Sequence, residues 1–163
     1  MTREEFIGLV TAEQERLRRF LLALCGDPAE ADDIAQDALV NAYVSSGSFR
    51  GSSRFGTWLF RIAYNCFIDR IRSHKAQVGP LDDRAGMLTT DDSADAVFRY
   101  EALHRAIRQL PEKERAAILL FYMEDIPVKE VSAILDIPAG SVRAYLTRGR
   151  NHIRSFLEKW TTI

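Results

Sequence analysis

Apolar residues recur along this chain with the 3.6-residue period of α-helices, and no stretch alternates with the period of two that marks a half-buried strand. The first stripe is Phe6, Leu9, Val10, Leu17, Phe20, Leu21 and Leu24. It predicts a helix that opens at Thr2, where Thr2 and Glu5 have capping-box spacing, and stops at Gly26. Asp27 followed by Pro28 predicts the start of a second helix, with Glu30 and Asp32 near the positive end of its dipole. Ile34, Ala35, Ala38, Leu39 and Ala42 form its inner face. A stretch over 47–56 with three glycines and three serines interrupts the pattern, and a third helix is predicted over 57–74. Beyond residue 93, helices are predicted over 94–110 and from Pro111, the latter with Glu112 and Glu114 in its first turn and Ile118, Leu119, Phe121 and Tyr122 on an apolar face. Residues 123–127 read as a turn. A short helix follows over 128–135, with Ala133 placed for close packing, and after a turn over 136–140 Ser141 caps a helix over 142–160.

Residues 76–93 lose this periodicity and collect Gly79, Pro80, Gly86 and four aspartates, so they read as a linker. The expected fold is all-α: two small helical domains, residues 1–75 and 94–163, joined by a flexible acidic linker over 76–93, the second domain being a helix-turn-helix.

An apolar fraction of 47% with 28% charged residues excludes disorder of the whole chain. No apolar run approaches membrane-spanning length, and the first ten residues carry two glutamates where a secretion signal needs a basic start. The expected location is cytoplasmic. Cys25 and Cys66 fit neither a disulfide framework nor a zinc cluster and are read as reduced core thiols.

The net charge of −1 conceals blocks of opposite sign. Residues 26–46 hold five acids and no base, 47–75 hold six bases against Asp69, and 141–163 hold five bases against Glu158. Two positive blocks with acidic segments between them suggest two polyanion-facing surfaces, because a phosphate backbone responds to the local field.

The C-terminal block supplies the second helix of a helix-turn-helix, whose N-terminal residues face base edges in the major groove. Ser141, Arg143, Tyr145, Leu146, Arg148, Gly149 and Arg150 are candidates for that side, and Val142, Ile153 and Leu157 for holding the helix to its domain. The turn carries Asp136 where glycine is common, a residue that tolerates left-handed backbone better than most.

The first positive block interleaves aromatic and basic residues: Phe49, Arg50, Ser52, Ser53, Arg54, Phe55 and Trp58 on the loop, then Arg61, Tyr64, Asn65, Arg70 and Arg72 on the helix. Opened DNA needs arginines for its phosphates and aromatic planes for bases that have lost their stacking partners. The competing reading puts Phe55, Trp58 and Leu59 in the core with the arginines solvated above them. On the acidic helix, Asp32, Asp33, Gln36, Asp37 and Asn41 share a face that suits a basic protein partner and not DNA. His74, His104 and His152 are scattered and no glycine-rich phosphate loop occurs, so no catalytic residue, metal, cofactor or small-molecule substrate is expected. A stand-alone helix-turn-helix regulator of duplex DNA is the rival reading; it leaves the acidic helix and the aromatic loop without a role.

Asp33-Ile34-Ala35-Gln36-Asp37, Phe49-Arg50-Gly51, the run from Thr57-Trp58 to Tyr64-Asn65, Ile68-Asp69-Arg70 and Leu110-Pro111, followed by the helix-turn-helix, together resemble an extracytoplasmic-function sigma factor of bacterial RNA polymerase. The resemblance covers nearly the whole chain. It implies that Asp33, Gln36, Asp37 and Asn41 dock on the clamp helices of core polymerase. The loop and third helix would recognise and melt the minus-ten element, and the C-terminal domain would read the minus-thirty-five element and touch the polymerase flap. It also implies an anti-sigma protein as a partner, and a linker that threads toward the RNA exit path. Asp37 stands where the family often has glutamate, and Gly56 and Tyr64 where it often has arginine.

Overall fold

The computed structural model describes residues 1–51, 53–78 and 94–161, all of it helix, turn or loop; no strand occurs among the described residues. Ser52 and residues 79–93, which hold most of the predicted linker, lie outside the described residues.

Helix α1 spans Arg3–Cys25, and its start is the predicted capping box: the Glu5 N–H bonds to Thr2 Oγ1 at 3.2 Å and the Thr2 N–H to Glu5 Oε2 at 2.9 Å. Its end is Gly26 at φ 76°, whose N–H donates to the Leu22 carbonyl at 2.8 Å. No Cβ could stand there, because the Arg108 guanidinium fills the space. Asp27 Oδ1 accepts from the Ala29 N–H and caps α2, Pro28–Val44. A 3₁₀ turn over Ser46–Ser48 leads into the loop before α3, Phe55–Val78, which starts and ends outside the predicted 57–74.

Helix α4 spans Ala94–Arg108 and α5 spans Glu112–Ile118. Leu119–Met123 continues α5 as one π turn, a widening that the apolar pattern did not signal. Helix α6, Val128–Leu135, and α7, Ala139–Thr161, complete the chain. Helix α7 begins before the expected Ser141, which lies in its first turn and is not its cap.

Phe6, Leu17, Phe20, Leu21 and Leu24 of the first stripe are buried as expected, whereas Leu9 is exposed. Ile34, Ala38 and Ala42 seat α2 on α1 and α3, and Phe20 stacks on Phe60 with centroids 5.5 Å apart. In the second half, Ala116, Ala117, Leu119, Leu120, Val131, Ile134 and Val142 form the interior. Ala133, expected in close packing, is exposed. The two halves share one continuous core: α3 packs on α6, and α1 on α4, α5 and the π turn. Both cysteines are free; Cys66 is buried and Cys25 half-buried, and desolvation pushes both thiols up from their usual range.

Candidate nucleic-acid interface

Helix α2 presents Asp32, Asp33, Gln36, Asp37, Val40 and Asn41 to solvent, opposite its small apolar residues. All four residues expected to meet a protein partner, Asp33, Gln36, Asp37 and Asn41, therefore lie on one free face. Three exposed apolar side chains, Val40, Tyr43 and Val44, extend that face toward the end of the helix. They were not anticipated from composition, although their spacing from Gln36 and Asp37 follows the same helical phase. Arg70, assigned above to DNA, leans onto this face instead: its guanidinium is 3.2 Å from Glu30, 3.6 Å from Asp37 and 3.9 Å from Asp33. It neutralises part of the acidic patch and leaves the α3 cationic stripe. Asn41 Nδ2 donates to Cys66 Sγ at 3.3 Å, tying the two helices where the patch begins.

The predicted minus-ten set divides into three groups. Arg54, Arg61, Asn65 and Arg72 are exposed, and their spacings of seven, four and seven residues put them on one side of α3. Arg50 and Ser53 are exposed on the loop before it. The aromatic residues turn inward. Phe55 is buried and meets Phe6 at 6.0 Å, Phe49 at 5.6 Å and half-buried Trp58 at 5.6 Å, so it props the loop from beneath and offers no stacking plane. Tyr64 is 3% exposed under the second half of the chain, and its hydroxyl has no hydrogen-bond partner among the described residues. Burial, with Glu112 and Tyr145 nearby, pushes that phenol well above its usual range.

The helix-turn-helix is built as its sequence implies. Asp136 closes α6 in the left-handed region at φ 55°, and the Ile137 N–H donates to the Ser132 carbonyl while Ser132 Oγ donates back to the carbonyl of Ile137. The Val142 N–H donates to the Pro138 carbonyl, starting α7. Val142, Leu146 and Gly149 face inward along α7, at helical spacing. Leu146 and Gly149 are thereby removed from the predicted base-reading set, since a Cβ on Gly149 would stand 2.7 Å from Ile118 Cγ1. Arg143, Arg148 and Arg150 are exposed, and Ser141 and Tyr145 are half-buried. The Arg148 guanidinium lies 4.7 Å above the Tyr145 ring, and Arg150 donates to Tyr122 Oη at 2.9 Å. Ala144, Thr147 and Asn151 share the exposed side with Arg143 and Arg148. They were missed because the reading followed residue charge and not the helix phase that Val142 and Ile153 set. His152 Nδ1 stands 2.8 Å from Glu114 Oε2, fixing α7 to the first turn of α5.

No group of three or more metal-ligating side chains occurs among the described residues, and no described helix is long and apolar enough to cross a membrane.

Residues 9–77 match the family described as sigma-70 region 2, and residues 100–153 match sigma-70 region 4. The chain is 33% identical to the ECF RNA polymerase sigma factor SigW of Bacillus subtilis, across 94% of this chain and 89% of that protein. It is 32% identical to SigM of the same organism across 86% and 88% of the two chains. Among solved structures, the sigma factor RpoE of Bartonella quintana, in complex with the anti-sigma factor NepR, superposes with a TM-score of 0.84 at 23% identity, over 95% of this chain and 98% of that one. The last likeness shows that the fold is shared.

Proposed function

Because this chain belongs to the extracytoplasmic-function sigma factors, which bind core RNA polymerase and direct promoter-specific initiation of transcription, we propose a division of that work among three of its surfaces. The exposed side of α2 docks on polymerase through Asp33, Gln36, Asp37 and Asn41, with Val40, Tyr43 and Val44 adding apolar area at its edge. Arg50, Ser53, Arg54, Arg61, Asn65 and Arg72 carry the minus-ten element, and Tyr64 joins them when α3 is uncovered. Arg143, Ala144, Thr147, Arg148 and Asn151 face the minus-thirty-five element in the major groove. The domains that do this work are residues 1–75 and 94–163, with 76–93 between them. Polymerase supplies the catalysis, so this chain acts by binding alone, and it does so in the cytoplasm, where an anti-sigma protein can withhold it.

The observation that carries the assignment is the separation of charge by element. The acidic side of α2 and the cationic stripes of α3 and α7 stand on different helices, so one chain can hold a basic protein surface and two stretches of DNA together.

Run-off transcription with purified core polymerase and host genomic fragments tests it. Specific transcripts are expected from the wild-type chain, and Asp37→Arg should abolish both transcription and co-elution with polymerase while leaving duplex binding intact. Full transcription by Asp37→Arg would remove α2 from the docking role.

A further inference from the structure

The two halves of the chain are held together by a carboxylate that has no other means of support. The Glu124 side chain is 1% exposed, and its ion-pair partners come from α1: Arg19 grips both oxygens at 3.1 and 2.9 Å, and Arg16 stands 3.5 Å from one of them. Arg16 also donates to the Glu124 carbonyl at 2.7 Å. A buried carboxylate is tolerated only while it is paired and hydrogen-bonded, so this residue favours the packed arrangement over any in which α1 has moved off. Its neighbour Asp125 has φ 56°, a left-handed turn that points Glu124 at α1 and drops Ile126 into the core. A second tie runs beside it. Arg115 donates to the Leu24 carbonyl on α1 at 2.9 Å, and to the Arg108 and Leu110 carbonyls beyond α4 at 2.9 Å each.

The consequence falls on α3. With α6 packed over it, Tyr64 is sealed in with an unpartnered hydroxyl, and Glu130 of α6 stands 3.8 Å from Arg54, an acid where the cationic stripe would hold a phosphate. We propose that Glu124 is a latch: with Arg16 and Arg19 it holds a shut form of the chain in which part of the α3 surface is withdrawn, and the halves must part before that surface takes up melted DNA. This rests on the assignment of Tyr64 to the minus-ten surface. Opening exposes Glu124 to water, where it needs no partner, so the latch sets a population of open and shut forms and does not bar opening.

The test uses the full chain with two variants, Glu124→Gln, which keeps the shape and removes the charge, and Arg19→Ala, which changes a side chain already half in solvent. Small-angle scattering should show a larger radius of gyration in both, with circular dichroism unaltered. Amide exchange across residues 60–67 should quicken about tenfold. With core polymerase present, affinity for a pre-melted promoter duplex taken from the run-off assay should rise about threefold or more. An unchanged radius and exchange in both variants would overturn the latch. A wider radius without tighter DNA binding would overturn its gating role. Tyr64→Ala in the Glu124→Gln background then separates the two ideas: no loss of DNA affinity means that the Tyr64 assignment has failed, and a clear loss means that the latch itself does not govern uptake.

Discussion

Helices α3 and α7 are of nearly equal length, and both carry arginines through an otherwise apolar sequence, yet they sit in the molecule differently. Helix α3 is packed between α2 and α6, so its polar residues are confined to a single stripe and its aromatic residues are interior. Helix α7 rests on α4, α5 and α6 by one side and leaves the other open. An arginine on either helix is evidence of a polyanion surface only where packing leaves that side free. Arg70 shows the exception, being drawn into the carboxylates of α2.

The contrast breaks most sharply at neighbouring positions. Phe60→Ala and Leu146→Ala should each lower unfolding free energy by about 2–5 kcal/mol in a denaturant titration, whereas Arg61→Ala and Thr147→Ala should stay within about 0.5 kcal/mol. Similar losses at all four would show that the exposed stripes are structural. On α7, Arg143→Ala should cost about 1–3 kcal/mol of discrimination between promoter variants differing at one base, measured by competition at fixed salt. Arg154→Ala, nearer the end of the helix, should weaken all probes alike. An equal loss on all probes from Arg143→Ala would move that residue to the phosphate backbone. On α3, Arg72→Ala should make the salt dependence of DNA binding shallower by about one in the log–log slope. The smallest effect lies away from both stripes. Burial, aided by Arg108, holds His104 below the usual histidine range, so the unfolded chain takes up its proton first. Stability should therefore be complete above about pH 6.5 and decline as pH falls below it, by less in His104→Gln.

Much of the fold was legible because the signals are short-range. Thr2 with Glu5, Asp27 with Pro28, and the stripe from Phe6 to Leu24 each report on residues within one or two turns, and all three mark real elements. The four α2 residues were legible for the same reason, since Ile34 and Ala38 fix the phase that turns Asp33 and Asp37 outward. Phe55, Tyr64 and Leu146 were misplaced because aromatic and aliphatic residues suit a stacking platform or a core equally well. Only what packs above them tells the two apart. The start of α7 was set late because serine is a common cap, and the turn from Asp136 to Pro138 left no room for one at Ser141.

By itself the sequence determined the helices, their caps and the placing of opposite charge on separate segments, because each depends on interactions within a few residues. Tertiary structure alone decided which side of α3 is free, where Arg70 points and what holds the halves together. Arg19 and Glu124 are 105 positions apart, and no local preference of either residue can specify a partner at that separation. Their meeting follows from the shared core that brings α1 against the π turn after α5.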